Sequence, residues 1–446
     1  MSIFTFHNPI VSAAQAALHH ALVRQGHPDT ASLSAGHEKM QQLVKLGRGF
    51  TGPRSPAPGA DTTEEVADEC LKLYLDYVAA RFAGHEQKAQ QLYDELKFSV
   101  CDPLWLEAIT AYEDFVHCEG GRVSYTGLQP GEDVGPFPVD ASPLRIALLA
   151  DWGTGDDLAK NVLAQAKALA PHLLIHMGDV YYAGTQAEQQ AYFLDVVEQY
   201  FPGTRSGRFP VYVIPGNHDY YSGGTGFTWL IGQLGRQKGS YFCLRGEGWQ
   251  VVALDTGYND RDPFTVESNI TALTDDQVAW LADVMGSAGG RRTILLTHHQ
   301  LYSGAGPVGE QDQGGQTVRW GINPLLYEQV RPYFGQIPVW LWGHEHNSVV
   351  FQPRQGVPPG RCIGSAAVPM MVIQDPYRQD ATLQGVDGID VPQMDPSHEL
   401  GNNGVEYYHG FAMLTLDAQQ ATVTYYQVPP GGAYQEMLSE TYPAAG

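Results

Sequence analysis

Residues 173–182 read Leu173-Leu174-Ile175-His176-Met177-Gly178-Asp179-Val180-Tyr181-Tyr182, an apolar run that stops at a glycine and an aspartate. A run of this length, rich in Leu and Ile, predicts a buried strand that ends just before Asp179. Similar runs predict five further strands: Leu144 to Ala150, Val211 to Ile214, Gln250 to Leu254, Thr293 to Leu296 and Val339 to Trp342. With helical patterns and loops between them, these runs predict an α/β fold, either a largely parallel sheet or a layered sandwich.

Five of the six predicted strands are followed at once by side chains that can bind a metal ion. They are Asp151; Asp179 and Tyr182; Asn217, His218 and Asp219; His298 and His299; and His344 and His346. Because the carboxyl ends of strands meet at one crevice in an open α/β sheet, we expect these positions to converge. Carboxylate and phenolate oxygens suit hard cations, and imidazole suits iron, zinc and manganese. The set therefore predicts a metal centre, in which His299 is an outer or loop residue rather than a ligand.

The order of these motifs resembles that of the calcineurin-like metallophosphoesterases. The matching motifs are D-x-G at Asp151, G-D-x-x-Y at 178–182, G-N-H-D at 216–219, the strand-end His298, and G-H-x-H at 343–346. Gly153 and Tyr182 point to the purple acid phosphatase branch, where glycine replaces the first-motif histidine of most of the superfamily and a tyrosine compensates. The resemblance covers residues 143 to 350 and implies a layered β-sandwich flanked by helices.

The resemblance also implies two metal sites that share Asp179. One cation is expected at Asp151, Asp179, Tyr182 and His346, and the other at Asp179, Asn217, His298 and His344. A tyrosine of pKa ~10 ionises at neutral pH only beside a strong Lewis acid, so Fe(III) is expected at the tyrosine site. Zn(II), Mn(II) or Fe(II) suits the second site.

A small phosphate ester is the substrate that the resemblance implies, attacked by metal-bound hydroxide. His218 matches the family's histidine that is not a ligand and is expected to stabilise a phosphoryl oxygen or protonate the leaving group. Asp219 is expected to orient His218.

Departures from the purple branch leave other functions open. Gln300 stands where a proline is common, residues 303–316 contain no histidine, and Asn347-Ser348-Val349 follows the last motif. Since those positions shape the substrate pocket, a phosphodiesterase or phosphotriesterase with the same centre is the first alternative. A catalytically silent binding module is the second, although the complete ligand set argues against it.

The rest of the chain predicts a helical extension over residues 1–118, a Pro- and Gly-rich linker over 119–142 and the catalytic domain over 143–446. A capping box at Thr62 and Glu65 indicates helix in the extension. The net charge of -23 argues against nucleic acid or anionic membranes as main ligands. Five scattered cysteines, no apolar stretch of 18 residues and no secretory signal pattern favour a reduced, cytoplasmic setting. The oligomeric state is left open.

Overall fold

The computed structural model describes residues 72–73, 76–77, 79–80, 83–96, 108, 111–112, 114–118, 121–263, 265 and 268–444. The chain divides into two compact units, Met1–Ala111 and Tyr112–Gly446. The described part of the first unit contains helix α1, Glu86–Leu96. The capping box expected at Thr62 and Glu65 lies outside the described residues, and the boundary expected at residue 118 stays a prediction.

The second unit is built on two sheets, so the layered alternative is the right one. The first sheet has seven strands in the order β1-β5-β6-β7-β10-β12-β11, with β6, β7, β10 and β12 parallel to one another. Its strands are β1 (Val134–Pro136), β5 (Phe242–Arg245), β6 (Trp249–Leu254), β7 (Arg292–Thr297), β10 (Val339–Trp342), β11 (Ser348–Val350) and β12 (Gly360–Ile363). Strand β1 lies within the stretch expected to be a linker.

The second sheet has six strands in the order β15-β14-β13-β2-β3-β4. Strands β2, β3 and β4 are parallel, and the three C-terminal strands extend the sheet in antiparallel pairs. The strands are β2 (Leu144–Leu149), β3 (Leu173–His176), β4 (Val211–Val213), β13 (His409–Leu416), β14 (Gln420–Val428) and β15 (Gln435–Pro443). A separate hairpin pairs β8 (Glu310–Asp312) with β9 (Thr317–Arg319).

Helices cover the outer faces of both sheets. They are α2 (Asp157–Ala168), α3 (Gln186–Glu188), α4 (Asp195–Tyr200), α5 (Thr225–Leu234), α6 (Asp275–Gly286) and α7 (Pro324–Val330). A π-helical segment, Gln189–Leu194, joins α3 to α4, and another covers Asp114–Cys118. Short 3-10 turns occur at His218–Tyr220, Tyr258–Asp260, Arg331–Gln336 and Val372–Gln374. The Asp156 side chain caps α2 by accepting the amide hydrogen of Ala159.

Three apolar layers hold this unit together. The middle layer joins the inner faces of the two sheets and includes Ile146, Ile175, Ile294 and Leu341, all fully buried. The two outer layers pack α6 and α7 on the first sheet and α2, α4 and α5 on the second. Both sheets are thus covered on two sides, which explains why their central strands are continuous apolar runs. No helix in the described ranges is long and apolar enough to cross a membrane.

Candidate metal centre

The predicted ligands lie together at one edge of the two-sheet sandwich, the rim, because the parallel strands of both sheets have their carboxyl ends there. Asp151, Asp179 and Asn217 follow β2, β3 and β4 of the second sheet, while His298 and His344 follow β7 and β10 of the first. The sheets are joined here by a hydrogen bond of 2.8 Å from the His344 amide to Asp151 Oδ2. The expected convergence of five distant positions is therefore present.

The backbone at the rim is held in an uncommon conformation. Four residues expected to be ligands, Asp151, Asp179, His344 and His346, have φ between 53° and 70°, in the left-handed region that side chains other than glycine rarely adopt. Such residues concentrate at functional sites, where the surrounding structure over-determines them. Gly153 is required for packing, because a Cβ there would lie 2.6 Å from the Val180 Cα.

The first group of polar side chains contains Asp151, Asp179 and His346, whose ligand atoms lie within 4.8 Å of one another. The Tyr181 hydroxyl lies among them, 3.1 Å from Asp151 Oδ1, 3.1 Å from Asp179 Oδ2 and 2.9 Å from His346 Nε2. Two carboxylates, a phenol and an imidazole are thus in contact inside the protein.

The tyrosine of this group differs from the one predicted. The sequence motif assigned the position to Tyr182, whereas the hydroxyl between the two aspartates belongs to Tyr181. The physical reason lies in the backbone after Asp179. The half-buried Glu188 carboxylate accepts the Tyr182 amide hydrogen, and the Tyr182 carbonyl accepts a hydrogen bond of 2.7 Å from His218. This turn directs the preceding side chain, that of Tyr181, into the site.

The second group contains Asn217, His298 and His344. Asn217 Oδ1 lies 3.2 Å from His298 Nε2 and 3.1 Å from His344 Nδ1, and its amide nitrogen donates to the Tyr221 hydroxyl at 2.6 Å. His298 donates from Nδ1 to the Met177 carbonyl at 2.9 Å, so its Nε2 faces the site. Such outer hydrogen bonds fix the ring orientation of histidine ligands.

Asp179 belongs to both groups. Its Oδ2 atom, already in contact with Tyr181, also lies 3.4 Å from His298 Nε2 and 3.9 Å from His218 Nε2. Its Oδ1 atom accepts the His218 amide hydrogen at 3.1 Å. One carboxylate therefore faces both candidate cation positions.

His218 lies at the rim. Its ring is oriented by the Tyr182 carbonyl, whereas the prediction assigned this role to Asp219. Its Nδ1 donates to the Tyr182 carbonyl, and its Nε2 points toward Asp179. The Asp219 carboxylate accepts the amide hydrogens of Asp179 and Gly216, at 2.9 and 2.8 Å, and a hydrogen bond from the Gln189 side chain at 2.6 Å. Asp219 thus fixes the two ligand loops to each other, and a main-chain carbonyl orients His218.

The charges of the site are strongly interdependent. Burial raises the pKa of Asp151 to about 7 against the attraction of His298. Burial also acts to raise the pKa of Asp179, but His298 and His218 hold it well below its ordinary value. For His298, burial acts to lower the pKa, and Asp179 and Asp151 outweigh it and raise the pKa to about 10. His298 and the two buried aspartates therefore stabilise one another's charged forms.

These residues fit a pair of metal ions. Each group offers donors that cations of the iron, zinc and manganese type accept, and the carboxylates are buried, so that their negative charge requires compensation. The group of histidines with nearby ring nitrogens also includes His299, which was expected to lie outside the ligand set.

A small cavity of about 20 Å³ lies beside His344 and His299 and is lined by polar side chains such as Asp260, Asn269 and Gln300. A volume of this order admits one water molecule and nothing larger. This cavity is therefore too small to admit a phosphate ester.

Sequence signals existed for most of the rim but not for all of it. Tyr181 belongs to the same motif as Tyr182, but the spacing of the motif points to Tyr182. Tyr221, which holds the Asn217 amide, belongs to no motif and had no signal in the sequence.

Comparisons with known proteins agree with this geometry. Residues 144–348 match the family model for the calcineurin-like phosphoesterases. Tartrate-resistant acid phosphatase type 5 of Oryctolagus cuniculus is 22% identical over 344 residues, which cover 68% of this chain and 93% of that protein. Glycerophosphodiester phosphodiesterase GpdQ of Enterobacter lignolyticus (strain SCF1) is 25% identical over 259 residues, which cover 56% of this chain and 81% of that protein.

Among solved structures, the purple acid phosphatase PPD1 from yellow lupin (Lupinus luteus) seeds is similar, with a TM-score of 0.44 and 14% identity. The match covers 69% of this chain and 55% of the lupin protein. The matched family range contains every strand that carries a rim residue, from β2 to β10. Residues 144–348 therefore form a domain of the calcineurin-like phosphoesterase family, and the chain is similar to acid phosphatases and to a phosphodiesterase.

Proposed function

We propose that this protein hydrolyses small phosphate esters at a centre of two metal ions bridged by Asp179. The observation that carries the proposal is the position of Asp179 Oδ2, 3.1 Å from the Tyr181 hydroxyl and 3.4 Å from His298 Nε2. A carboxylate shared by an oxygen-rich group and an imidazole-rich group is suited to bridging two cations. Similarity to an acid phosphatase and to a phosphodiesterase supports the substrate class.

In this proposal, Asp151, Asp179, Tyr181 and His346 hold one cation, and Asp179, Asn217, His298 and His344 hold the other. Burial and the two aspartates raise the pKa of Tyr181 well above its ordinary value of 10, so only a strong Lewis acid can deprotonate it. Fe(III) suits that site, and Zn(II), Mn(II) or Fe(II) suits the second one.

The two cations would supply a hydroxide nucleophile near neutral pH and neutralise charge on the phosphoryl oxygens. The protein's own contribution comes from His218. Because Nδ1 donates to the Tyr182 carbonyl, Nε2 is the atom that faces the rim. In its protonated form this atom stabilises a phosphoryl oxygen or gives a proton to the leaving alcohol. Burial lowers the pKa of His218, although Asp179 opposes the shift.

A phosphodiesterase with the same centre is the second candidate, and the match to GpdQ favours it. Gln300, at the position where a proline is common in the purple branch, lines the small cavity beside His344. The loop after β7 therefore carries an amide side chain near His344, at a position where the purple branch commonly has a proline.

A panel of 4-nitrophenyl phosphate, bis(4-nitrophenyl) phosphate and a 4-nitrophenyl phosphotriester tests the proposal with metal-loaded protein. We expect hydrolysis of the monoester or the diester, which distinguishes the two candidates. His218→Ala should lower kcat by roughly 10²–10⁴. His172→Ala serves as the matched control, because His172 lies at the opposite end of β3 and accepts the Arg145 amide hydrogen.

The proposal fails if the metal-loaded wild-type protein hydrolyses no ester in the panel. That result would favour a binding module instead. Unchanged kcat in His218→Ala, with hydrolysis intact in the wild type, would contradict only the role of His218.

A further inference from the structure

His299 has a place in the metal centre that its neighbours define. It follows His298 directly, is only 4% exposed, and its ring packs against the His344 ring with 4.4 Å between centroids and 43° between planes. By position alone it qualifies as a third histidine ligand of the second cation. Its hydrogen bonds decide otherwise.

Both ring nitrogens of His299 are already engaged by protein groups. Nδ1 lies 2.9 Å from Thr256 Oγ1, and Nε2 lies 3.0 Å from Asp260 Oδ2. Thr256 Oγ1 also accepts the amide hydrogen of His299 at 2.9 Å, so its own hydroxyl hydrogen is available to Nδ1. This arrangement assigns the hydrogen on the ring to Nε2, which donates it to Asp260.

His299 therefore has no lone pair left for a metal ion. The Nδ1 lone pair accepts from Thr256, and Nε2 bears a hydrogen.

The groups that hold His299 are themselves fixed. Asp260 Oδ1 accepts from Asn269 Nδ2 at 2.7 Å, and the same amide donates to the Asn259 carbonyl at 2.6 Å. The Asp260 amide closes a turn onto the Gly257 carbonyl at 2.9 Å. The His299 ring is thus a rigid surface behind His344, and not a side chain that can turn toward the site.

The orientation of the His344 ring depends on the side chains that pack against it. It projects from a backbone with φ of 65°, and its ring contacts Asn217 Oδ1 through Nδ1. The His298 ring meets it edge-on at 5.3 Å and 75°. The His299 ring lies against it at the shorter centroid distance and so restricts rotation about the side-chain bonds of His344.

We propose that His299 is a positioning residue, locked by Thr256 and Asp260, which holds the His344 ring in the orientation that binds the second cation. The inference rests on the proposed function, because it assumes that His344 is a ligand. Outer partners of metal ligands typically change metal affinity by 10–100-fold when they are lost.

The matched pair Thr256→Val and Thr256→Ser tests this assignment. Valine keeps the size of threonine and removes the hydroxyl, whereas serine keeps the hydroxyl. Zn²⁺ alone is titrated into each protein in competition with a chromophoric chelator. A His344→Ala variant identifies which binding step belongs to the second site.

We expect Thr256→Val to weaken the second step by about 10–100-fold and to leave the first step near its wild-type affinity. Thr256→Ser should restore the second step. A general loss of structure would weaken both steps together, so equal weakening of both, or no selective change in Thr256→Val, overturns the inference.

His299→Phe provides the second test, because it keeps an aromatic ring against His344 and removes both nitrogens. A positioning role predicts that the second Zn²⁺ still binds, with an affinity lowered by about 10–100-fold as in Thr256→Val. Complete loss of the second step in this variant would make His299 a ligand and overturn the assignment. If the wild-type protein shows no Zn²⁺ binding step that His344→Ala removes, the proposed function fails instead.

Discussion

Replacing Tyr181 by phenylalanine is expected to abolish the visible absorption of the iron-loaded protein. At pH 7 an ordinary tyrosine, with a pKa of 10, resists deprotonation by 3 pH units, which is about 4 kcal/mol. Burial, Asp151 and Asp179 raise the pKa of Tyr181 further, so the bound cation must supply more than this energy. Fe(III) bound to tyrosinate gives a purple charge-transfer band, and the phenylalanine variant lacks the oxygen that produces it.

The matched variant is Tyr182→Phe, which removes the neighbouring hydroxyl and should keep the band. The assay is the visible spectrum of wild-type and variant proteins after loading with iron. A band that disappears in Tyr182→Phe and persists in Tyr181→Phe would refute the placement of Tyr181 between the two aspartates. A wild-type protein without any band would refute the ferric tyrosinate itself.

Two further predictions concern a glycine at the rim and a histidine away from it. In Gly216→Ala the new methyl group would clash with the Asp179 carboxylate and the His298 ring. We therefore expect less bound metal in metal analysis, and a free energy of unfolding lower by about 1–3 kcal/mol in thermal denaturation. Gly232→Ala is the control for both measurements, because a methyl group at this position on α5 meets no other atom. Burial lowers the pKa of His398 to about 4 from 6.5, so its neutral form stabilises the fold above pH 6.5 and this contribution is lost as the pH falls toward 4. Between pH 7 and 5 the free energy of unfolding of the metal-free protein should fall by about 2 kcal/mol because of this group. Urea denaturation at the two pH values should show a smaller fall in His398→Gln. An equal fall in both proteins would contradict the prediction.

The central strands could be predicted because both of their faces are buried. The run Val339 to Trp342 matches β10 residue for residue, and Leu144 to Ala150 extends one residue beyond β2. The pairing of these strands into two sheets was not predictable in the same way. Strand β13 pairs with β2 across more than 260 residues of chain, and no local pattern specifies such a partner.

Two edge strands, β1 and β15, were missed for a different reason. Strand β15, Gln435–Pro443, is largely half-buried or exposed and carries mixed polar residues, so its apolar signal is weak. Strand β1 has only three residues, Val134–Pro136, and lies in a stretch whose glycines and prolines indicate a loop. Pairing with β5 makes this segment a strand, which its composition does not predict.

The rim could be predicted in residue type and position, but not in every contact. Asp151, Asp179 and His344 are polar residues at the ends of apolar strands, and that contrast is visible in the sequence. The choice between Tyr181 and Tyr182 depends on the backbone turn after Asp179. The group that orients His218 is a main-chain carbonyl, which has no sequence signature.

A crystal structure of the metal-loaded protein, with anomalous scattering recorded at the metal absorption edges, tests the central claim most directly. We predict two peaks about 3.5–4 Å apart on either side of the Asp179 carboxylate, one near Tyr181 and His346 and the other near Asn217 and His298. A single peak, or metal ions bound away from Asp179, would contradict the two-metal account.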